Sequence, residues 1–524
     1  MAEHRRPRRA LRALLVLCVG STALLGVPGL RSASAPGTVV RTVPVAASAL
    51  ARRGVARAPG GALRADARTH TAAVTTCAPI WFDGLAFTWT QLRGREPSLL
   101  AATGGRRGSL GPVAHLDEES GPDPATAEAD GIERGSDYLW TGGSRCVRVR
   151  LAMRRGASIA SLRAVFLNTS GTADGPGTGP GEIGPSLGGG PSMPIAGART
   201  RSPRIISRDR WGASPRLMNC TPDVAPFLTN AFVHHTAGTN AYSRSQADDI
   251  VRGIYAYHTQ VRGWCDIGYN FLVDRYGDVF EGRSGGVTNN VIGAAQMGFN
   301  TGAFSVSVMG TFDAVAPPAA AIRAVEHLLA WRLDVAHVNP SSRQTMTSGG
   351  GSTTRYKRGA NVRLHAISGH RDTGLTDCPG ARLYALLPRI RDAVSRIGLP
   401  KLYAPRLSTG AIIAGQPASV RIVARGSRTL VWSVSVLDPT GVVVSDIPET
   451  TNDRLDVRWP ATLATPGEYL VVVAASERDG TPARPAQLPL LVAAPEPSPT
   501  PTPTPSSTAT PTPTTTMTPT ASPT

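Results

Sequence analysis

The stretch Gly369-His370-Arg371-Asp372-Thr373-Gly374-Leu375-Thr376-Asp377-Cys378-Pro379-Gly380 sets a histidine and a cysteine eight positions apart, in a loop punctuated by Gly and Pro. Such a loop can turn both side chains onto one point, and imidazole nitrogen and thiolate sulfur both bind zinc well. Two ligands do not make a reactive site, so a third must come from elsewhere. Upstream, Ala231-Phe232-Val233-His234-His235-Thr236-Ala237-Gly238 is a short apolar run ending at a histidine pair, the pattern of a buried strand. Two histidines and one cysteine would leave the fourth zinc position open, as in a catalytic rather than a structural site. The bland reading stands beside this one: buried histidines are often satisfied core residues, and cysteine is among the most buried types. Spacing alone favours the bland reading.

The intervening segment tips the balance. It contains Gly263-Trp264-Cys265-Asp266-Ile267-Gly268-Tyr269-Asn270-Phe271-Leu272-Val273, then Tyr276-Gly277 and Glu281-Gly282-Arg283. The order HHTAG, GWCDIGYNFLVD, EGR, GHRDTGLTDCPG resembles the peptidoglycan recognition protein and type 2 N-acetylmuramoyl-L-alanine amidase family, over residues 204–398. The resemblance implies a mixed α/β fold and one zinc per chain, held by His234, His370 and Cys378. It also implies cleavage of the amide between the muramoyl lactyl group and L-alanine, on peptidoglycan or muropeptides. Zinc there would polarise the scissile carbonyl and acidify a water. Tyr269 falls on the family's catalytic tyrosine, a donor to that water or to the developing oxyanion. Thr376 falls where relatives aim a polar group at the same oxygen. Asp266 and Arg371 are expected to brace loops, and His235, His258 and His365 to be structural. Members that only bind typically lack the cysteine; Cys378 therefore favours an enzyme over a binding module. Two departures stand out. The cytosolic recycling branch carries a carboxylate base on the strand matching 305–309, and no acid occurs there, which leaves proton transfer to Tyr269. Relatives often read GAH where this chain has Gly293-Ala294-Ala295-Gln296, which implies an altered substrate groove.

At 524 residues the whole chain is long enough for about three domains. Lys and Arg number 55 against 37 acids, a formal net charge of +18, and only Lys357 and Lys401 are lysine. A basic surface is drawn to anionic polymers. No nucleic-acid motif occurs, so anionic wall polymers are the expected partners. Residues 1–35 read as a secretory signal: Arg5, Arg6, Arg8 and Arg9 precede an apolar run over 11–30, with small residues at Ala33-Ser34-Ala35. A retained anchor is the alternative. No other segment is long and apolar enough to span a bilayer, so the mature chain is expected to be secreted, extracellular or wall-associated.

Of six cysteines, Cys18 leaves with the signal and Cys378 is assigned to zinc. Four cysteines outside the cytoplasm allow three pairings or four free thiols; domain boundaries favour Cys77 with Cys146 and Cys220 with Cys265. Residues 87–92 and 147–151 alternate with period two, which predicts a β-sandwich accessory domain over 75–170. A Gly/Pro-rich linker follows at 171–203, then the amidase domain at 204–398. Within it the pattern predicts a helix opening at 243–246 with a capping box, strands over 269–273 and 305–309, helices over 319–335 and 382–397, and a polar surface loop over 341–359. An immunoglobulin-like sandwich is expected at 404–492, and the Pro/Thr/Ser repeat at 495–524 is a stalk or spacer. An adhesin whose sandwiches carry the function is a third reading.

Overall fold

A computed structural model describes residues 37–46, 50, 56–57, 62–65, 70–105, 109–126, 128, 134–172 and 200–495. The expected signal segment with Cys18, nearly all of the linker and nearly all of the tail lie outside them. Among the described residues no helix is long and apolar enough to cross a membrane.

The central region is a six-stranded mixed sheet. Its order is Ile205–Ile206, Val279–Glu281, Phe271–Val273, Ala303–Val308, Asn230–His235, Ile367–Gly369. Only Phe271–Val273 and Val279–Glu281 run antiparallel to each other; the other neighbours are parallel. Parallel strands are covered on both faces, so they read as unbroken apolar runs, and every residue of Asn230–His235 and Ala303–Val308 is buried. Alternation along the strands sorts the core into two layers. Val233, Val306, Val308 and Phe271 pack against Val325, Leu328, Leu329, Ile390 and Val394. On the opposite face Leu272 and Phe280 meet Ile250, Val251 and Ile254.

The helices follow from their apolar spacing. Ala319–Val335 forms as the 322, 325, 328, 329, 333 pattern requires. The capping box at Ser243 is present: its backbone N–H donates to Gln246 Oε1 at 2.8 Å. The helix beyond it, Ala247–Ala256, ends in a wider turn over Tyr257–Val261. The last expected helix is split into Ala381–Tyr384 and Leu387–Arg396, with Pro388 in the first turn of the second. The expected surface loop over 341–359 contains a strand instead. Arg343–Thr347 pairs antiparallel with Asn361–His365, because Met346, Val362 and Leu364 bury against Phe232 and Phe299.

Two further sheets flank this region. The N-terminal one has nine strands and takes in Val39–Pro44, ahead of residue 75, through pairing of Val39 with Asn168. Its core holds Phe82, Phe87, Trp89, Val149 and Phe166. Among the described residues the C-terminal one has six strands around Trp432, the longest of them Ala418–Leu437. Each sheet is one continuous hydrogen-bonded unit. The N-terminal sheet docks on the central region through an apolar seam, in which Tyr138, Trp140, Val165 and Leu167 meet Ile250, Val251 and Ile254.

Cys77 is bonded to Cys146 and Cys220 to Cys265, while Cys378 is free and buried. Non-reducing peptide mapping is expected to recover those two cross-links and an alkylatable Cys378 after unfolding. A disulfide through Cys378 would contradict this arrangement.

Candidate metal centre

Strand register brings the first two candidate ligands together. In the parallel pair Asn230–His235 and Ile367–Gly369, Val233 lies opposite Gly369. The next step along both chains sets His234 beside His370, and their ring centroids are 4.6 Å apart. This is the carboxyl edge of the parallel strands, where α/β sheets place ligands. The loop after His370 returns Cys378 to the same point, with Sγ 3.7 Å from His234 Nδ1. Ligand atoms of His234, His370 and Cys378 all lie within 4.8 Å of one another, and all three residues are buried.

The arrangement fits a zinc ion. A tetrahedral zinc with nitrogen at about 2.0–2.1 Å and sulfur at about 2.3 Å has a nitrogen–sulfur edge of roughly 3.5 Å. The His234 Nε2 atom is buried without a hydrogen-bond partner, a costly state for a polar atom with no ligand. Burial, then the neighbouring His370 and His235, holds His234 well below the usual histidine range; burial, then His235, brings His370 down to about 3. Both rings are therefore neutral, the form that binds metal. Burial pushes the Cys378 thiol well up, so loading a metal must release its proton.

Each ligand is braced. Cys378 N–H donates to Thr376 Oγ1 at 3.0 Å, and its carbonyl accepts from Arg371 N–H at 2.9 Å. The Arg371 guanidinium also donates to the Asp377 carbonyl and lies over the Tyr384 ring. Asp266 accepts from Ile267 and Ser284 N–H at 2.7 Å each and pairs with Arg208 at 3.1 Å. Both residues thus hold loops. Gly374 is required by close approach: a Cβ there would sit 2.7 Å from His370 Nε2. Gly380, at φ +88°, would meet the Phe312 backbone at 2.4 Å. Gln296 does not line an open groove. It is 2% exposed, and its amide donates to the His370 carbonyl at 3.3 Å and to Thr373 Oγ1.

The Tyr269 ring is 5.6 Å from His234. Burial raises its phenol well above the usual range, so it stays protonated and can donate. The central strand carries Ser307, not an acid, opposite His234. Of the remaining histidines, His235 accepts from Phe312 N–H through Nδ1 at 3.3 Å, and His365 meets Arg343 at 3.0 Å. His258 does more than fill the core. Its Nδ1 accepts from Gly268 N–H at 3.0 Å, so its proton sits on Nε2 and points to Glu119 Oε1 at 2.7 Å. Its ring is 5.8 Å from Tyr269.

Sequence reasoning missed the carboxylates. The small cavity at the triad is lined by Tyr269, His370, Thr376 and Cys378, but also by Glu119 and Asp137 of the N-terminal sheet region. Burial, then Asp117 and Glu119 nearby, holds Asp137 well above the usual carboxylate range. The acidic run beginning at Asp117, in an arginine-rich chain, was the signal available.

Comparison with known proteins bears on this geometry. Residues 226–381 match the family model described as N-acetylmuramoyl-L-alanine amidase. The chain is 31% identical to peptidoglycan-recognition protein SC2 of Drosophila simulans, over 34% of this chain and 82% of that relative. This chain belongs to the peptidoglycan recognition protein family. It is also 30% identical to peptidoglycan recognition protein 1 of Bos indicus, over 35% of this chain and 82% of the relative. The N-acetylmuramoyl-L-alanine amidase of Homo sapiens is 32% identical over 35% of this chain and 28% of its own length.

Metal analysis of protein purified from zinc-containing medium is expected to find about one zinc per chain, as three ligands and an open position allow. Cys378→Ser should lose most of it, since a neutral hydroxyl is a far poorer ligand than a thiolate. Full zinc content in that variant would remove Cys378 from the site.

Proposed function

We propose that the protein is an exported, zinc-dependent N-acetylmuramoyl-L-alanine amidase acting on peptidoglycan or muropeptides. The observation that carries this reading is the buried triad His234, His370 and Cys378, with the cysteine outside any disulfide, in a chain of this family. The domain plan is proposed with it: a leader at 1–35, accessory β modules flanking an amidase domain at 204–398, and a terminal spacer.

Bound zinc supplies Lewis acidity to the scissile carbonyl and to the attacking water. The chain's own residues do the rest. His234 and His370 stay neutral and fixed by strand register, so the site needs no reorganisation at the moment of reaction. The Tyr269 hydroxyl, protonated in its buried setting, donates to charge that develops on oxygen as the carbonyl becomes tetrahedral. Thr376 holds the Cys378 backbone and keeps the sulfur aimed inward. No acid on the central strand competes with Tyr269 for the proton.

A non-catalytic muropeptide-binding module is the alternative, since several relatives are named only as recognition proteins. Sacculi digestion followed by mass spectrometry separates the two: an amidase exposes new L-alanine amino termini, and a binder exposes none. Chelation should stop hydrolysis, and added zinc should restore part of it. Tyr269→Phe should lower turnover by about 10²–10³-fold, the usual effect of losing one oxyanion donor, with zinc content and muropeptide affinity nearly unchanged. Parental turnover in Tyr269→Phe would take the tyrosine out of the mechanism.

A further inference from the structure

The N-terminal sheet sends a polar strap across the metal centre. Its described residues include Asp117, Glu118, Glu119, Asp123 and Glu128, five carboxylates in a chain of net charge +18. Glu119 bonds His258 Nε2 at 2.7 Å and Arg262 at 3.0 Å. Ser120 Oγ accepts from Met297 N–H at 2.9 Å and lies 3.2 Å from Thr353 Oγ1. Asp123 accepts from Gly298 N–H at 2.7 Å and from the Asn300 amide at 2.8 Å. Glu128 accepts from Cys265 N–H at 2.9 Å and pairs with Arg283. Asp117 reaches Thr376 Oγ1 at 3.4 Å.

The consequence is a closed site. The cavity over the triad measures about 10 Å³, room for at most about one water. Sites for drug-sized ligands occupy roughly 300–1,000 Å³, so a muropeptide cannot sit at the triad while the strap is in place. A larger space of about 540 Å³ adjoins the strap at Asp117, Glu118 and Thr376, on the outer side of the closure. The strap and the sheet that bears it are attached differently. The sheet is docked through Tyr138, Trp140, Val165 and Leu167, and the start of the strap is paired to it, with Glu119 N–H donating to the Gly135 carbonyl at 2.9 Å, whereas beyond Glu119 the strap is held to the central region by hydrogen bonds and ion pairs. Once opened, polar contacts of this kind can be replaced by water, whereas the buried apolar area of the seam has no such replacement.

We propose that the strap, residues 117–126 with Glu128, is an autoinhibitory cover, and that substrate reaches the metal centre only when the part beyond Glu119 lifts while the sheet stays docked. The proposal depends on the amidase reading only for its hydrolysis readout.

A reversible lock tests it. In Ser120→Cys/Thr353→Cys, two positions whose side-chain oxygens are 3.2 Å apart can be joined by oxidation and released by mild reduction, with the parent chain treated identically. Three quantities are read: hydrolysis of a soluble muropeptide, muropeptide affinity, and the rate at which a chelator withdraws zinc. The oxidised variant is expected to fall at least about tenfold in each, in proportion to the open fraction lost, and to recover on reduction. Parental values in the oxidised variant would overturn the proposal and make Glu119 and Asp137 fixed walls of the working site. If the parent binds muropeptide but cleaves none, the amidase reading fails, while affinity and zinc withdrawal still decide the strap. Asp123→Ala/Glu128→Ala provides the opposite perturbation without new cysteines. It should lose zinc to the chelator and bind muropeptide about tenfold faster, from the loss of charge-assisted bonds; unchanged rates would overturn the cover.

Discussion

Everything in the central region answers to one constraint: His234, His370 and Cys378, three groups able to hold a metal, are buried with ligand atoms within 4.8 Å of one another, and the His234 ring carries a buried Nε2 with no hydrogen-bond partner. Unpaired buried polar atoms are costly, so the surroundings must prevent the triad from relaxing toward better partners. Parallel register fixes His234 against His370 from the backbone outward. Gln296 and Asp372 then pin the start of the loop: the former bonds the His370 carbonyl, and the latter accepts from Gly369 N–H at 2.9 Å. Arg371 and Thr376 pin its end at Cys378. A site held from so many sides can stay poised for a metal and resist collapse.

The legible part of this was local or periodic. The strand ending at His234, the capping box at Ser243 and the helix Ala319–Val335 were readable because each depends on neighbours or on spacing, and the two disulfide pairs because domain boundaries chose among the three pairings. What escaped the sequence lay in contacts between distant segments. Glu119 meets His258 across 139 positions and Asp117 meets Thr376 across 259; an acidic run of that kind reads as solvated loop until its partner is known. His258 looked like a core residue because its role depends on Glu119. The Arg343–Thr347 strand escaped for a different reason: its pattern is polar, and only Met346 faces the small cluster around Phe232. The contact Gln296 makes was not legible, since its target is a carbonyl in a loop 74 residues away.

Face selection explains why an accessory sheet can reach the metal at all. His234 alternates with Val233, so it points away from the layer of Leu328 and Ile390 and toward the layer of Ile250 and Ile254. That second layer is the one the N-terminal sheet covers through Tyr138 and Leu167. Docking and closure therefore share a face, but they use different chemistry. Apolar burial of the seam scales with area and does not depend on which ligand is nearby. The strap's contacts depend on charge, and an anion can compete for them.

That competition is close to balanced for a physical reason. Arg262 and Arg283 are 4% and 3% exposed, and the Nε of each lacks a partner beneath the strap. A buried ion pair gains little net free energy once the desolvation of both charges is counted, and less still when donors are left unmet. Glu119 and Glu128 therefore hold their arginines with a far smaller margin than the short distances imply. Lifting the strap rehydrates four charges and frees two unsatisfied donors, which offsets part of the Coulombic loss. A cover that is ionic and incompletely satisfied is therefore held by a small margin, while the apolar seam beneath it is not.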